Sequence, residues 1–130
     1  GGGLSTTLRD LARFAEMIRN NGHFNGQQIV PATVVARIHQ GASKDDFAKA
    51  KYPTMPGWSY RSQWWVTHNA HNALVGRGIH GQMIYIDPVA EMVAVRFMSN
   101  PVASTATVDP QTLPAFAALA DHLMAADSKR

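Results

Sequence analysis

Between residues 73 and 98 the chain carries three strand-length apolar runs separated by very short breaks, and the first break is built from glycine and one histidine. Residues 73–79 form the first run, 83–87 the second and 91–98 the third, with Gly76, Gly78, His80 and Gly81 in and after the first and Pro88 closing the second. The third run is the most regular. Val93, Val95 and Phe97 fall on one side, and Met92, Ala94 and Met98 fall on the other around Arg96, the two-residue period of a pleated strand. Breaks this short predict antiparallel hairpins, because a parallel crossover needs a dozen or more residues. Glycine inside a strand pattern marks a bulge or a close approach by a ligand or another backbone. The stretch from Gly76 to Gly81 therefore reads as a sheet segment open to an extended substrate, or simply as a glycine-bearing edge and turn.

Helical patterns lie on either side of these strands. Ser5, Thr6 and Thr7 are each able to cap a helix, and Thr7 with Asp10 resembles a capping box with a shorter acid. Leu8, Leu11, Phe14, Ala15 and Ile18 then recur at helical spacing, and Asn20-Asn21-Gly22 ends the pattern. Asn25-Gly26 signals a tight turn before Ile29-Val30, and Pro31 suits the first turn of a second helix running to about Gln40 and Gly41. Residues 41–57 read as a polar loop. Residues 58–68, rich in aromatic and β-branched side chains, read as a strand, and 69–72 as a polar turn. After a Ser/Thr-rich loop and Asp109-Pro110, the residues Leu113, Phe116, Ala117, Ala120, Leu123 and Met124 predict an amphipathic last helix covering one sheet face. The expected class is α+β, an antiparallel sheet flanked by helices, in a single piece spanning 1–130 without internal repeat or linker.

Composition narrows the functional classes. A chain of 130 residues, 45% hydrophobic and 16% charged, has the make-up of one globular domain. No apolar run approaches the ~20 residues that span a bilayer. The net charge of +3 comes from basic residues scattered over the chain, so a nucleic-acid partner is not expected. The absence of cysteine excludes disulfides and thiolate metal sites, and suits cytoplasm and periplasm equally.

Several stretches together resemble the serine β-lactamase-type hydrolases. Gly2-Gly3-Leu4-Ser5-Thr6, Asp10-Leu11-Ala12-Arg13-Phe14, Gly22 and Asn25-Gly26 are similar to a helix and turn that precede the last strands in β-lactamase-related esterases and amidases. Tyr60-Arg61-Ser62-Gln63-Trp64-Trp65, Gly78-Ile79-His80-Gly81-Gln82 and Tyr85-Ile86-Asp87-Pro88 look closest to the 6-aminohexanoate-dimer hydrolase branch. The likeness covers nearly the whole chain, but only about the last third of such an enzyme. It implies the C-terminal part of a β-lactamase/transpeptidase-like fold, and a missing N-terminal part of the same protein as its partner.

The family works by acyl transfer: a Ser activated by a Lys three residues later, a Tyr relaying protons, and water releasing the acyl group. This chain holds neither Ser-x-x-Lys nor Tyr-x-Asn, so the resemblance implies that it is silent alone. What it implies the chain can supply is the strand bordering the active site. Aligning back from Tyr85-Ile86-Asp87-Pro88 puts Gly76-Arg77-Gly78 on the family's Lys-Thr-Gly motif and Ile79 on the backbone N–H that donates to the oxyanion. Gly78, His80, Gly81, Arg77 and Trp64 are the accompanying candidates for contact with a small ester or amide substrate. Gly76 in place of the family's Lys weakens β-lactam or D-amino-acid peptide hydrolysis and favours esterase or small-amide chemistry. A non-catalytic binding or scaffolding domain, using the glycine-rich edge for strand addition, is the rival from another class.

Individual residues keep alternatives. His80 contacts substrate, positions a water or bonds across its turn. His68 and His71 form a metal pair only if a third ligand exists, and none is evident, so neither metal nor cofactor is expected. One of Trp64 and Trp65 is core and the other is open to a pocket. Met17, Met83, Met92 and Met98 read as core filler. Arg96 marks an edge, a buried pair or a site-facing guanidinium. The exposed face that would meet the missing part predicts self-association or poor solubility of the isolated chain.

Overall fold

A computed structural model describes residues 3–128. Helix α1 spans Leu8–Arg19. The Thr7 side chain accepts from the Asp10 amide, as the capping pattern predicts, and Asp10 receives the Thr7 hydroxyl in return. A two-stranded ribbon follows, β1 (His23–Phe24) against β2 (Gln27–Gln28), turned by Asn25-Gly26 with positive φ at both residues. Helices α2 (Ala32–Gln40) and α3 (Lys44–Ala48) lead to a five-stranded antiparallel sheet in strict meander order, β3-β4-β5-β6-β7. Its strands are Ser59–Arg61, Trp64–Val66, Leu74–Arg77, Met83–Asp87 and Met92–Arg96. Helix α4, Asp109–Asp127, closes the described chain, and no described helix is long and apolar enough to cross a membrane. The α+β class and the helix-flanked antiparallel sheet are as the sequence predicts.

Three local expectations need correction. Residues 58–68 are a hairpin, not one strand, because Ser62 and Gln63 both take positive φ and turn β3 back onto β4. The polar loop contains α3, which Ser43 caps through the Asp46 amide. The last helix starts at Asp109, four residues before the first apolar position of its stripe, since Pro110 fits a first helical turn.

The pleat sorts the core onto two faces. Leu74, Ile84, Ile86, Val93 and Val95 face α1 and α2, packing with Ala15, Met17, Ile18, Val35, Ile38, Trp64 and Val66. Val75, Met83, Tyr85 and Met92 face the opposite side, where Leu113, Phe116 and Ala120 of α4 cover them. Tyr85 and Phe116 meet with ring centroids 5.4 Å apart. Burial of this order, some 1.5–3 kcal/mol for each fully buried large side chain, is what holds helices to the sheet. Met17, Met83 and Met92 are core filler as expected, joined by Met55, whereas Met98 is half-exposed.

Candidate functional site

A groove of about 700 Å³ lies on the α1 face of the sheet, at the end where β5 stops. Its floor is sheet: Trp64, Gly76 and Ile84, with Phe97 beyond β7. Leu11 and Phe14 of α1 wall one side, and Gly3, Leu4 and Thr6 border it. Ser62, Gln63, Gln82 and the backbone from Arg77 to Ile79 form the rim. Gly76 keeps the floor low. Paired opposite Ile84, it would set a Cβ 3.4 Å from that side chain, and any longer group would rise into the groove.

The rim is shaped by the glycine-punctuated turn. After Arg77 the chain makes a single 3₁₀ turn over Ile79–Gly81, in which His80 is left-handed (φ 58°, ψ 20°). Gly81 has φ 91°, which needs glycine, and a Cβ there would also lie 2.6 Å from Met98 Sδ and displace that side chain. Gly78 N–H donates to Gln82 O at 3.0 Å and closes the turn. Ile79 stands at its apex, 68% exposed, and among the described residues nothing accepts from its N–H.

The predicted site residues divide between the two faces. Gly78 and Ile79 border the groove, and Trp64 is buried in its floor, stacked against Phe14 with centroids 6.3 Å apart. Arg77 contributes backbone only. Its neighbour Gly76 faces the groove, so its own side chain crosses to the α4 face, where Asp109 pairs with it and the guanidinium lies 4.8 Å over the Trp65 ring. Burial pushes Asp109 above the usual carboxylate range, against the pull of Arg77, and pushes Arg77 below its usual value. His80 takes up its polar groups with the chain: N–H to Ala103 O at 2.9 Å, Nδ1 with Asn100 O at 2.8 Å, and its carbonyl accepting from Asn100 N–H. The Gly81 carbonyl accepts from Arg96 Nε at 3.0 Å, which places Arg96 as a brace whose Nη1 also reaches Thr112 Oγ1.

Two arrangements that look chemical are structural. Ser59 Oγ lies 2.7 Å from His68 Nε2, the distance of a nucleophile and its base. Yet Ser59 is fully buried and its oxygen already accepts from Ala42 N–H, while burial and Lys44 hold His68 below its usual pKa. The hydrogen bond between Ser59 Oγ and His68 Nε2 ties β3 to the residues just after β4. His71 pairs instead with buried Asp87, whose second oxygen accepts from Val89 and Ala90 amides. His68 and His71 thus serve separate partners, and among the described residues no three potential metal ligands cluster.

Comparison with known proteins agrees with this architecture. No family model matches the chain. The 6-aminohexanoate-dimer hydrolase of Paenarthrobacter ureafaciens is 35% identical over 105 residues, which cover 80% of this chain and 27% of that protein. A solved structure from Bacillus anthracis, provisionally assigned as a 6-aminohexanoate-dimer hydrolase, matches at 35% identity with a TM-score of 0.76, over 94% of this chain and 30% of that one. By sequence and fold together, the chain resembles the β-lactamase-type hydrolases. Within them it corresponds to a C-terminal portion of a 6-aminohexanoate-dimer hydrolase relative, spanning between a quarter and a third of the length of the proteins it matches.

Proposed function

We propose that this chain supplies the oxyanion-binding strand and one apolar wall of the substrate cleft in a serine hydrolase acting on esters or small amides. The observation that carries the reading is Ile79, 68% exposed at the rim of an apolar groove just past the end of a strand, whose N–H has no acceptor among the described residues. An unpaired backbone donor beside such a groove is what a developing carbonyl oxyanion requires. A preorganised donor of this type contributes about 3–4 kcal/mol to the transition state.

In the reaction so framed, a serine hydroxyl from sequence outside this chain attacks the substrate carbonyl while its own base takes the proton. The carbonyl oxygen becomes an oxyanion and accepts from Ile79 N–H. Collapse expels the alcohol or amine, and water then releases the acyl group from the serine. Leu11, Phe14, Trp64, Ile84 and Phe97 would hold the apolar part of the substrate and exclude water. Among the described residues the groove brings no cationic side chain to bear, since the Arg77 guanidinium is engaged on the far face. That favours neutral acyl groups over substrates that must be held by a carboxylate.

Treatment of the protein made from its complete coding frame with a fluorophosphonate, followed by peptide mass mapping, tests this reading. The expected adduct lies on a serine outside these 130 residues. An adduct on a serine of this chain, or no adduct on any, would overturn it, and the second result would favour a binding domain that uses the same groove.

A further inference from the structure

The turn that carries Ile79 is held entirely from the side of the sheet away from the groove and from the loop after β7. Arg77, next but one before Ile79, is paired to Asp109, the first residue of α4, with both side chains almost completely buried. Thr54 donates to the same Asp109 oxygen at 3.3 Å, and the Arg77 guanidinium lies over the Trp65 ring while its Nη1 donates to Met55 Sδ at 3.8 Å. Two residues past Ile79, the Gly81 carbonyl is fixed by Arg96, which reaches on to Thr112 in the next turn of α4.

This cluster is poorly explained as a source of stability. Arg77 Nε, Arg96 Nη2 and Asp109 Oδ1 are buried without partners. A buried ion pair repays its desolvation only when its remaining donors and acceptors are satisfied, and apolar residues of similar volume commonly do as well or better. What such a pair provides that apolar packing lacks is direction: a forked guanidinium and a carboxylate fix one geometry.

We propose that Arg77 and Asp109 are positioning residues, which set the end of β5 against α4 and thereby aim the Ile79 N–H. The proposal rests on the reading of Ile79 as the oxyanion donor. It makes turnover depend on a helix that never touches the groove. A displacement of about 1 Å at a catalytic group lowers rates by about a hundredfold, so a loosened clamp acts on kcat while substrate still binds in the unaltered groove.

The test compares the wild-type protein, made from its complete coding frame, with the double variant Arg77→Met/Asp109→Leu and with Ile79→Pro. A p-nitrophenyl ester serves as substrate, with thermal unfolding and deuterium exchange of the 77–82 peptide measured alongside. The double variant is expected to keep its unfolding temperature and KM, to lose about tenfold or more in kcat, and to exchange faster at 77–82. A purely structural role would lower the unfolding temperature without a selective kcat loss, and that result would overturn the proposal. So would an unchanged kcat in the double variant while Ile79→Pro is strongly impaired. An unimpaired Ile79→Pro would instead remove the reading on which the proposal stands. Should the double variant fail to fold, Arg77→Lys, which keeps charge but loses the fork, takes its place. It is expected to show the same selective kcat loss, and an unchanged kcat would count against the clamp.

Discussion

Phe14 of α1 stacks on Trp64 of β4, their rings 16° from parallel, and this contact forms a corner of the groove. Trp64 is buried and Phe14 is partly exposed, so the two contribute unequally. Trp64→Ala should destabilise the protein by about 3–5 kcal/mol, as for other large-to-small changes in a core, and Phe14→Ala by less than half as much. A double-mutant cycle in urea should give a coupling of about 0.5–1.5 kcal/mol between them.

Gly76 is the residue whose smallness opens the groove floor. Gly76→Leu should raise KM for an ester with an apolar acyl group by about tenfold, equivalent to ~1.4 kcal/mol of binding, with a smaller effect on kcat. Steady-state kinetics of the complete protein checks this. The same variant should change the unfolding temperature little, because its Cβ would stand in ordinary contact with Ile84, 3.4 Å away, and the longer atoms would rise into the groove.

Gly81 is constrained differently. Met98 is flexible and partly exposed, so the close approach of its sulfur can be relieved, but a φ of 91° cannot. Gly81→Ala should therefore cost about 1–3 kcal/mol in chemical denaturation, and shortening the neighbour as well, in Gly81→Ala/Met98→Ala, should not restore it.

Stability should also fall on mild acidification. His39 exchanges two hydrogen bonds with Asn72, its Nδ1 facing Asn72 O and its carbonyl accepting from Asn72 Nδ2, each 3.2 Å. Burial holds its pKa below the ordinary value, as burial and then Lys44 do for His68. With folded-state values depressed, the unfolded chain binds more protons once the pH drops below about 6.5, the value of an unperturbed imidazole. The contribution is complete above that pH and is lost as pH falls through the depressed folded values. Urea midpoints measured from pH 7.5 to 5 should decline, and His39→Gln should flatten the decline.

Much of the fold was legible because the strands after residue 73 carry a clean two-residue period and their breaks carry glycine or proline. The Thr7 cap and the Asn25-Gly26 turn were legible for the same reason, as local chemistry with a local consequence. The Ser62-Gln63 turn was not, because neither residue is a usual left-handed type and the aromatic run through Trp65 masks the reversal. Helix α3 is only five residues long and polar, so it carries no apolar stripe to read. At the groove, the glycine-rich break was visible from pattern, which left open whether Trp64 or Trp65 lines it. The destination of Arg77 was half visible: alternation puts it on the face opposite Gly76, but nothing local announces a partner 32 residues away at the start of the last helix. The buried polar ties of Ser59 with His68, and of Asp87 with His71, are likewise products of tertiary structure.

The central claim is that the Ile79 N–H stabilises the reacting oxygen, and Ile79→Pro addresses it with little else changed. The Ile79 side chain is mostly exposed, and Gly78 is already extended (φ −120°, ψ 167°), as a residue before proline prefers. In the complete protein, with folding confirmed by an unchanged unfolding temperature, the account predicts a loss of about 10²–10³ in kcat toward an activated ester with KM nearly constant. A folded Ile79→Pro protein that turns over at the wild-type rate would contradict it.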